Sequence, residues 1–529
     1  MFECPNCAHN LKFDIKAQQM KCDACESLFD PYVIEMDRYA ENSEYFETNI
    51  FTCPQCGGQI ISEDTEIATF CLFCGSATIL TEHLSQEKRP DYIIPFQKTK
   101  EDCIKAYKKM MKKAFFVPKE FKDEKFIDGF KGVYIPYWTY NFHAKEKMCL
   151  KGTLTKQERD RVLTEKYNIF ADVDAEFKGD YYDASASFYD EISYALAPYD
   201  LGKSKKFTTG FLSGYYANCA EVDEFIYLSD SEELAKKEIS QKITQDNAFS
   251  RYELYDKDKI EINFVSRAEK VLFPVWLMSY RNKDRVAYAA VNGQTGKIVA
   301  DFPVDTKKFL LSSLLLALPI FALLNFIVVL TKAEVVALGL FLLFLSLMMY
   351  ALELYDIYEK ESMYTDKGIF RQTDSLKTIK NRLKGAGDFL PGALFLRIFG
   401  FFFRMNWIYK MIFIIGFIWC GIVHYRFLDI TIWPFIIVLD ICGLCSVGGQ
   451  LMKFKQTKNY LAVILSTVAL IISSIVLLLN PIQVLGYHCA TGLSLFALAV
   501  NFIFIIKDYN GLAMRKLFRF NSEGGRGFE

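Results

Sequence analysis

The sequence predicts a multidomain chain: two small four-cysteine zinc ribbons, an α+β soluble domain and an α-helical, six-span membrane domain. Two features carry that prediction. A CxxC-x14-CxxC unit occurs twice within the first 74 residues, and from Phe309 onward the chain breaks into long uncharged apolar runs. These signals divide it into ribbon 1 (1–30), an acidic linker (31–50), ribbon 2 (51–80) and the α+β domain (91–306). A transmembrane hairpin (309–352), a cytoplasmic connection (353–407), four further transmembrane helices (408–506) and a cytoplasmic tail (507–529) complete it.

In ribbon 1 the knuckles are Cys4-Pro-Asn-Cys7 and Cys22-Asp-Ala-Cys25; in ribbon 2 they are Cys53-Pro-Gln-Cys56 and Cys71-Leu-Phe-Cys74. Two thiolates two residues apart reach one ion from a tight turn, and two such knuckles close a tetrahedral shell. The expectation is a structural Zn2+ at each quartet, with no open position for water; rubredoxin-like iron is the rival. Gly57 and Gly75 follow their knuckles, where a positive φ is useful. Ala8 and Glu26 stand there in ribbon 1, so the first unit reads as less regular. Units this short bury little core, so metal binding supplies most of their folding free energy.

Charge argues against nucleic acid as a partner. The chain carries a net charge of −1, and residues 1–80 hold Lys12, Lys16, Lys21 and Arg38 against 13 Asp and Glu. Phosphate neutralisation drives non-specific nucleic-acid binding, and this field has the wrong sign. The opening MFECPNCAHN has no basic stretch leading into an apolar one, so no cleavable signal peptide is expected. The first 300 residues then stay in a reducing compartment, which favours metal-bound cysteine over disulfides.

Thr81 to Pro90 reads as a polar linker. Thr99 has the look of an N-cap with Asp102 at capping-box spacing, and Cys103, Ile104, Tyr107, Met110, Met111 and Ala114 make one helical apolar face. Around them lie Lys105, Lys108, Lys109, Lys112 and Lys113, either a basic patch for lipid headgroups or nucleic acid, or a solvated helix face. Gly132 to His143 and Leu272 to Tyr280 are β-rich, Val286 to Val299 reads as a hairpin, and helices are expected near 184–197 and 231–249. GQTGK is not a phosphate loop, because two residues rather than four separate its glycines. No catalytic set assembles: His143 stands alone, and the pairings available to Asp172, Asp174, Asp180, Asp183 and Asp190 carry no signature.

The paired ribbons resemble the transcription-factor-IIB-type zinc ribbon. The order of landmarks is similar to that of a bacterial family of zinc-ribbon membrane proteins, sometimes mislabelled primosomal helicase. Those landmarks are the two CPxC…CxxC units, Pro90 to Phe96 (PDYIIPF), Gly132 to Trp138 (GVYIPYW), Ala197 to Asp200 (APYD), Phe211 to Ala217 (FLSGYYA), Phe273 to Trp276 (FPVW) and Asn292 to Lys297 (NGQTGK). They cover about residues 1–305. The resemblance implies no catalysis. It implies a bacterial cell-membrane protein whose partners are flotillin-like or phage-shock-type proteins in envelope stress. The helicase label fails for want of a Walker A lysine.

Phe309–Leu330 runs without a charge, and Val335–Leu352 follows after a four-residue turn. About 20 residues of helix cover the roughly 30 Å of bilayer hydrocarbon, so this is a transmembrane hairpin. Further spans are expected at 408–424, 430–447, 460–479 and 482–506. The connections on the side of the N-terminus hold 17 Lys and Arg and the opposite ones only Lys332 and Arg426, which places both termini in the cytoplasm. Gly392 to Arg404 reads as an interfacial helix or as an extension of the third span. Asp440, with Cys442 and Cys445 nearby, marks an intramembrane acid: either a packed polar residue or the centre of a transporter or membrane-embedded enzyme. The expected function is a membrane-anchored scaffold that binds partner proteins and contacts lipid through its spans.

Overall fold

The computed structural model describes residues 2–36, 44–62, 70–77, 80–123, 129–158, 161–185, 187–188, 190–246, 251–254, 262–282, 285–327, 330–362, 460–479, 481–513 and 515–516, with scattered positions between 437 and 449. Ribbon 1 contains a small antiparallel sheet of β1 (Leu11–Asp14), β2 (Gln19–Cys22) and β3 (Leu28–Phe29). The short helix α1 (Pro31–Met36) follows. Ribbon 2 is carried by β4 (Tyr45–Thr52) and β5 (Gln59–Ile61).

The stretch expected as a polar linker is a strand instead. β6 (Thr81–Lys88) pairs with the whole of β4, from Tyr45 opposite Lys88 to Thr52 opposite Thr81. Polar side chains suit it because it lies at the end of the strand order, where one edge faces away from the sheet. The linker assigned to 31–50 likewise contains α1 and most of β4, and residues 37–43 lie outside the described set.

Beyond it come β7 (Tyr92–Ile93), α2 (Lys100–Lys113), the long strands β8 (Lys131–Glu158) and β9 (Arg161–Asp183), α3 (Asp190–Leu196), β10 (Lys205–Lys206), β11 (Tyr216–Asn218), α4 (Leu228–Gln245), β12 (Glu253–Leu254), β13 (Val265–Asn282), β14 (Arg285–Asn292) and β15 (Ile298–Ala300). Thr99 caps α2 with a capping box closed by Asp102. α3 is shorter than its apolar pattern suggests. Ser185 Oγ accepts from the N–H groups of Ser187 and Phe188, which holds that stretch in a turn.

The main sheet runs β10-β7-β13-β8-β11-β5-β4-β6, so ribbon 2 and the middle domain share one sheet. β13 lies antiparallel to β8, with Leu272 opposite Pro136 and Trp276 opposite Gly132. The two Pro-aromatic/aliphatic-Trp segments of the sequence are therefore partners. Their side chains alternate between two cores, as period-two geometry requires. Tyr134, Leu272, Trp276 and Met278 face the core that includes Tyr107 of α2 and Phe2, Phe13 and Met20 of ribbon 1. Val133, Ile135, Phe273 and Val275 face the core that includes Ile192 of α3 and Leu72 and Phe73 of ribbon 2. The buried cysteines of the two ribbons thus lie on opposite sides of the central sheet, Cys4 and Cys22 in the first core and Cys53, Cys56, Cys71 and Cys74 in the second.

Among the described residues, three helices are long and apolar enough to cross a membrane: Lys332–Leu354, Tyr460–Leu479 and Val484–Gly511. They lie in α6 (Lys332–Ser362), α7 (Tyr460–Leu479) and α8 (Val484–Ala513). They follow α5 (Thr306–Ile327), where the first expected span falls; its Leu311, Leu314, Leu315 and Leu316 are exposed. The expected span at 408–424 and the interfacial helix at 392–404 lie outside the described residues, as does most of 430–447.

α6 and α8 run parallel in a fixed register. Lys332 Nζ lies 5.4 Å over the Tyr487 ring, a Cβ at Gly339 would sit 3.5 Å from Ser494 Cβ, and Asn501 Nδ2 donates to Ser346 Oγ at 3.0 Å. Each rung is seven residues beyond the last on both helices, the repeat of a left-handed helix pair. α7 runs antiparallel to α8, with Ser466 at Asn501 and Ser473 at Ser494. The C-terminal end of α8 is bolted to the soluble domain: Asn510 bonds the backbone of Val304 in both directions, and β16 (Arg515–Lys516) pairs with β14.

Candidate metal centres

Four similar turns build the two sites. The N–H of Ala8 donates to Cys4 O, Glu26 to Cys22 O, Gly57 to Cys53 O and Gly75 to Cys71 O, at 2.7 to 3.0 Å. Each of the four donors has a left-handed backbone, with φ of 58°, 57°, 74° and 62° in that order. Ribbon 1 is therefore as regular as ribbon 2 in backbone; what differs is that Ala8 and Glu26 adopt with a Cβ the conformation that glycine reaches without strain.

The turns bring each set of four sulfurs within 4.8 Å of one another. The separations are 3.5 Å for Cys4–Cys25 and 3.4 Å for Cys7–Cys22, and 3.7 Å for both Cys53–Cys74 and Cys56–Cys71. A metal–sulfur bond of about 2.3 Å puts tetrahedral sulfurs about 3.8 Å apart. Both quartets suit a tetrahedral ion, ribbon 2 more closely.

Their surroundings differ. Cys4 and Cys22 are buried while Cys7 and Cys25 are exposed, and all four cysteines of ribbon 2 are buried. Ribbon 2 is held from the sheet side: Tyr288 OH donates to Phe73 O, and Arg281 reaches Gln55 Oε1 at 3.4 Å. Ribbon 1 is held by Ser213 Oγ donating to Leu11 O at 2.6 Å and by Gln18 Nε2 donating to Phe96 O at 2.8 Å. Thiols this close oppose one another's ionisation. Cys53 is held low by thiol hydrogen bonds, that from Cys56 foremost, while Cys56 and Cys71 are pushed up, chiefly by their bonds to Cys53. At the exposed edge of ribbon 1, hydrogen bonds from the side chain and then the backbone of Ser27 bring Cys25 down to about 6. A bound cation is what lets four such sulfurs ionise together.

The other candidate residues do not converge. His143 is on the exposed face of β8, its Nε2 3.0 Å from Asp174 Oδ1, and Lys145 joins that carboxylate at 3.5 Å. Asp172 meets Lys147 at 3.9 Å. Asp180 and Asp183 line a concavity of about 190 Å³ with Tyr137, Tyr181, Tyr182 and Tyr227. Asp180 accepts from Ser231 Oγ at 2.5 Å and Asp183 from the Ser185 N–H at 2.8 Å. Asp190 begins α3. Asp440 is fully buried, and among the described residues neither of its oxygens has a hydrogen-bond partner. Cys445 is exposed, and Cys442 lies outside the described residues.

The landmark segments form structure rather than a reaction centre. Phe96 stacks on Tyr215 at 4.7 Å and meets Tyr134 at 4.9 Å and Trp276 at 5.1 Å. A Cβ at Gly293 would lie 2.6 Å from the Phe96 ring, and one at Gly132 the same distance from Tyr215. The NGQTGK loop is spent on the APYD loop. Asn292 donates to Leu196 O and Pro198 O, Gln294 exchanges two bonds with the Asp200 backbone, and Lys297 donates to Ala197 O. Sequence reasoning missed Lys270, which is buried. Burial pushes its ammonium down, and it donates to Lys88 O at 2.8 Å.

The chain is 30% identical over 317 residues to a protein of Bacillus subtilis (strain 168) described as uncharacterized protein YdjG, an alignment spanning 58% of this chain and 91% of that protein. No family model matches the chain. No solved structure matches it either.

Proposed function

Given that the chain belongs to the family of Bacillus subtilis YdjG, we propose that it is a membrane-anchored scaffold whose two zinc ribbons hold a protein-binding head at the cytoplasmic face. The observation that carries this reading is the pair of closed sulfur quartets on opposite faces of one sheet. Such shells have no open coordination position and stabilise surface loops rather than activate water. Zinc is the ion assigned because an all-thiolate tetrahedral set selects it, with iron as the alternative.

The scaffold reading draws further support from residues otherwise suggestive of chemistry, which are occupied by structure: Lys297 and Gln294 by backbone carbonyl and amide groups, Asp174 by His143 and Lys145. Partners of flotillin-like or phage-shock type follow from the zinc-ribbon family resemblance, and the acidic ribbons disfavour nucleic acid.

We propose a topology of six spans with both termini in the cytoplasm. α5 leaves the soluble domain and α8 returns to it, which calls for an even number of crossings. The described helices α6, α7 and α8 are long and apolar enough to supply three crossings; α5 and the apolar runs at 408–424 and 430–447 are read as the other three from their sequence. A second reading, a transporter or membrane-embedded enzyme, is favoured by one observation, the buried carboxylate of Asp440.

A cross-linked pull-down from membranes tests the proposal, comparing the intact chain with Cys53→Ser and Asp440→Asn. The scaffold reading predicts specific partners that Cys53→Ser loses and Asp440→Asn keeps. Absence of any enriched partner with the intact chain, or loss only with Asp440→Asn, contradicts it.

A further inference from the structure

We propose that the C-terminal end of α2 and the segment after it form a docking surface for anionic phospholipid headgroups. The placement comes from contacts at the start of α5. The Asp305 N–H donates to Phe116 O at 2.7 Å, Lys308 Nζ donates to Val117 O at 3.0 Å, and the rings of Phe116 and Phe309 are 5.3 Å apart. Residues 116–117 are therefore fixed beside the point where the first apolar helix leaves the soluble domain. This step rests on the reading of α5 as a span.

What that anchoring presents is basic and apolar together. Lys112, Lys113, Lys119, Lys122 and Lys307 are exposed, and Lys308 is half-buried. The acidic residues among them are Glu120, Asp123 and Asp305. Asp305 is committed to the first turn of α5, accepting from the N–H groups of Lys307 and Lys308, and Glu120 accepts from Tyr280 OH. Phe115 stands between the lysines and is 65% exposed. An exposed ring flanked by ammonium groups at the foot of a membrane helix matches the chemistry of the headgroup layer. The ring enters the acyl boundary while the lysines meet phosphate. The apolar face of α2 is spent on the core through Cys103, Tyr107 and Met111, so the basic side is the one left outward. The end of α8 reaches the same place through Asn510 and Val304, bringing exposed Lys507 to that side.

Hydrogen exchange on the full chain in nanodiscs tests this, with phosphatidylcholine alone or mixed with phosphatidylglycerol. Amides of residues 112–119 are expected to exchange about fivefold more slowly in the anionic discs, the factor that one lysine near a charged leaflet is worth. High salt, the triple variant Lys112→Gln/Lys113→Gln/Lys119→Gln, and Phe115→Ser should each reduce the difference. Equal exchange in the two discs overturns the proposal, as does protection that the triple variant retains or that appears only when another protein is added. The α5 amides between 310 and 323 separate the two levels. Their protection in both discs with no lipid effect at 112–119 sinks the docking surface alone, and their free exchange sinks the spanning reading with it.

Discussion

Val286 in the soluble domain and Arg515 beyond the last apolar helix are neighbours in one antiparallel sheet. Arg285 faces Lys516 in the next register position. Both ends of the helical half are thereby tied to the same body. Cross-strand pairs stand about 5 Å apart at Cα, within disulfide reach. Arg285→Cys with Lys516→Cys should thus cross-link efficiently in isolated membranes, read by peptide mass spectrometry. No cross-link, with residue 516 labelled from the opposite side to residue 285, contradicts the topology.

The left-handed turns of the ribbons give a prediction of opposite sign for two kinds of substitution. Ala8 and Glu26 hold φ near 58° with a Cβ, at a cost of about 1 kcal/mol each. Ala8→Gly and Glu26→Gly should therefore slow metal release from ribbon 1, measured by competition with a chromophoric chelator. Gly57→Ala and Gly75→Ala should hasten it from ribbon 2, Gly75→Ala more, since the new Cβ would stand 3.1 Å from Arg281 Cβ. Glycine variants of ribbon 1 that release metal faster would overturn this account of the turn.

What the sequence reveals well is local. The cysteine spacing identified both quartets because each knuckle is a turn of fixed geometry, and Thr99 and Asp102 announced the capping box. The apolar periodicity of Cys103, Tyr107 and Met111 located the face of α2. The failures are cooperative. Thr81–Lys88 looks like a linker because an edge strand needs no apolar side chains, and only its pairing with β4 makes it part of the sheet. Ribbon 2 reads as separate because nothing local reveals that β5 joins β11. Ala8 and Glu26 do not make ribbon 1 irregular, because both adopt the left-handed turn despite the strain of a Cβ there. The partnership of Pro136 with Leu272 is set by tertiary register, which spacing along a chain does not encode.

The aromatic cluster around Phe96 predicts an intolerant glycine. Gly293→Ala would place a methyl 2.6 Å from the Phe96 ring and 2.8 Å from Pro274 Cβ. Overpacking of this kind costs about 1–3 kcal/mol. The variant should unfold at lower denaturant concentration than the parent, and an unchanged midpoint would mean that the cluster is loosely packed. Phe96→Leu combined with Gly293→Ala should recover part of the loss.

In the helical half, Asn501 links three helices, donating to Ser346 of α6 at 3.0 Å and to Ser466 of α7 at 3.2 Å. Interhelical hydrogen bonds in membranes are worth about 0.6 kcal/mol on average. Asn501→Ala should lower resistance to denaturing detergent by about 1 kcal/mol, and adding Ser346→Ala should cost little more, because the pair acts as a unit. Fully additive losses would show that the two residues act separately.

The measurement that bears most directly on the whole account is the metal content of the full-length protein purified from membranes. Two zinc ions per chain are expected, one at each quartet. The ion of ribbon 1 should leave first under a chelator, because Cys7 and Cys25 are exposed whereas the cysteines of ribbon 2 are buried. A chain that is fully folded with no zinc, or one whose head is unaffected by complete chelation, contradicts it.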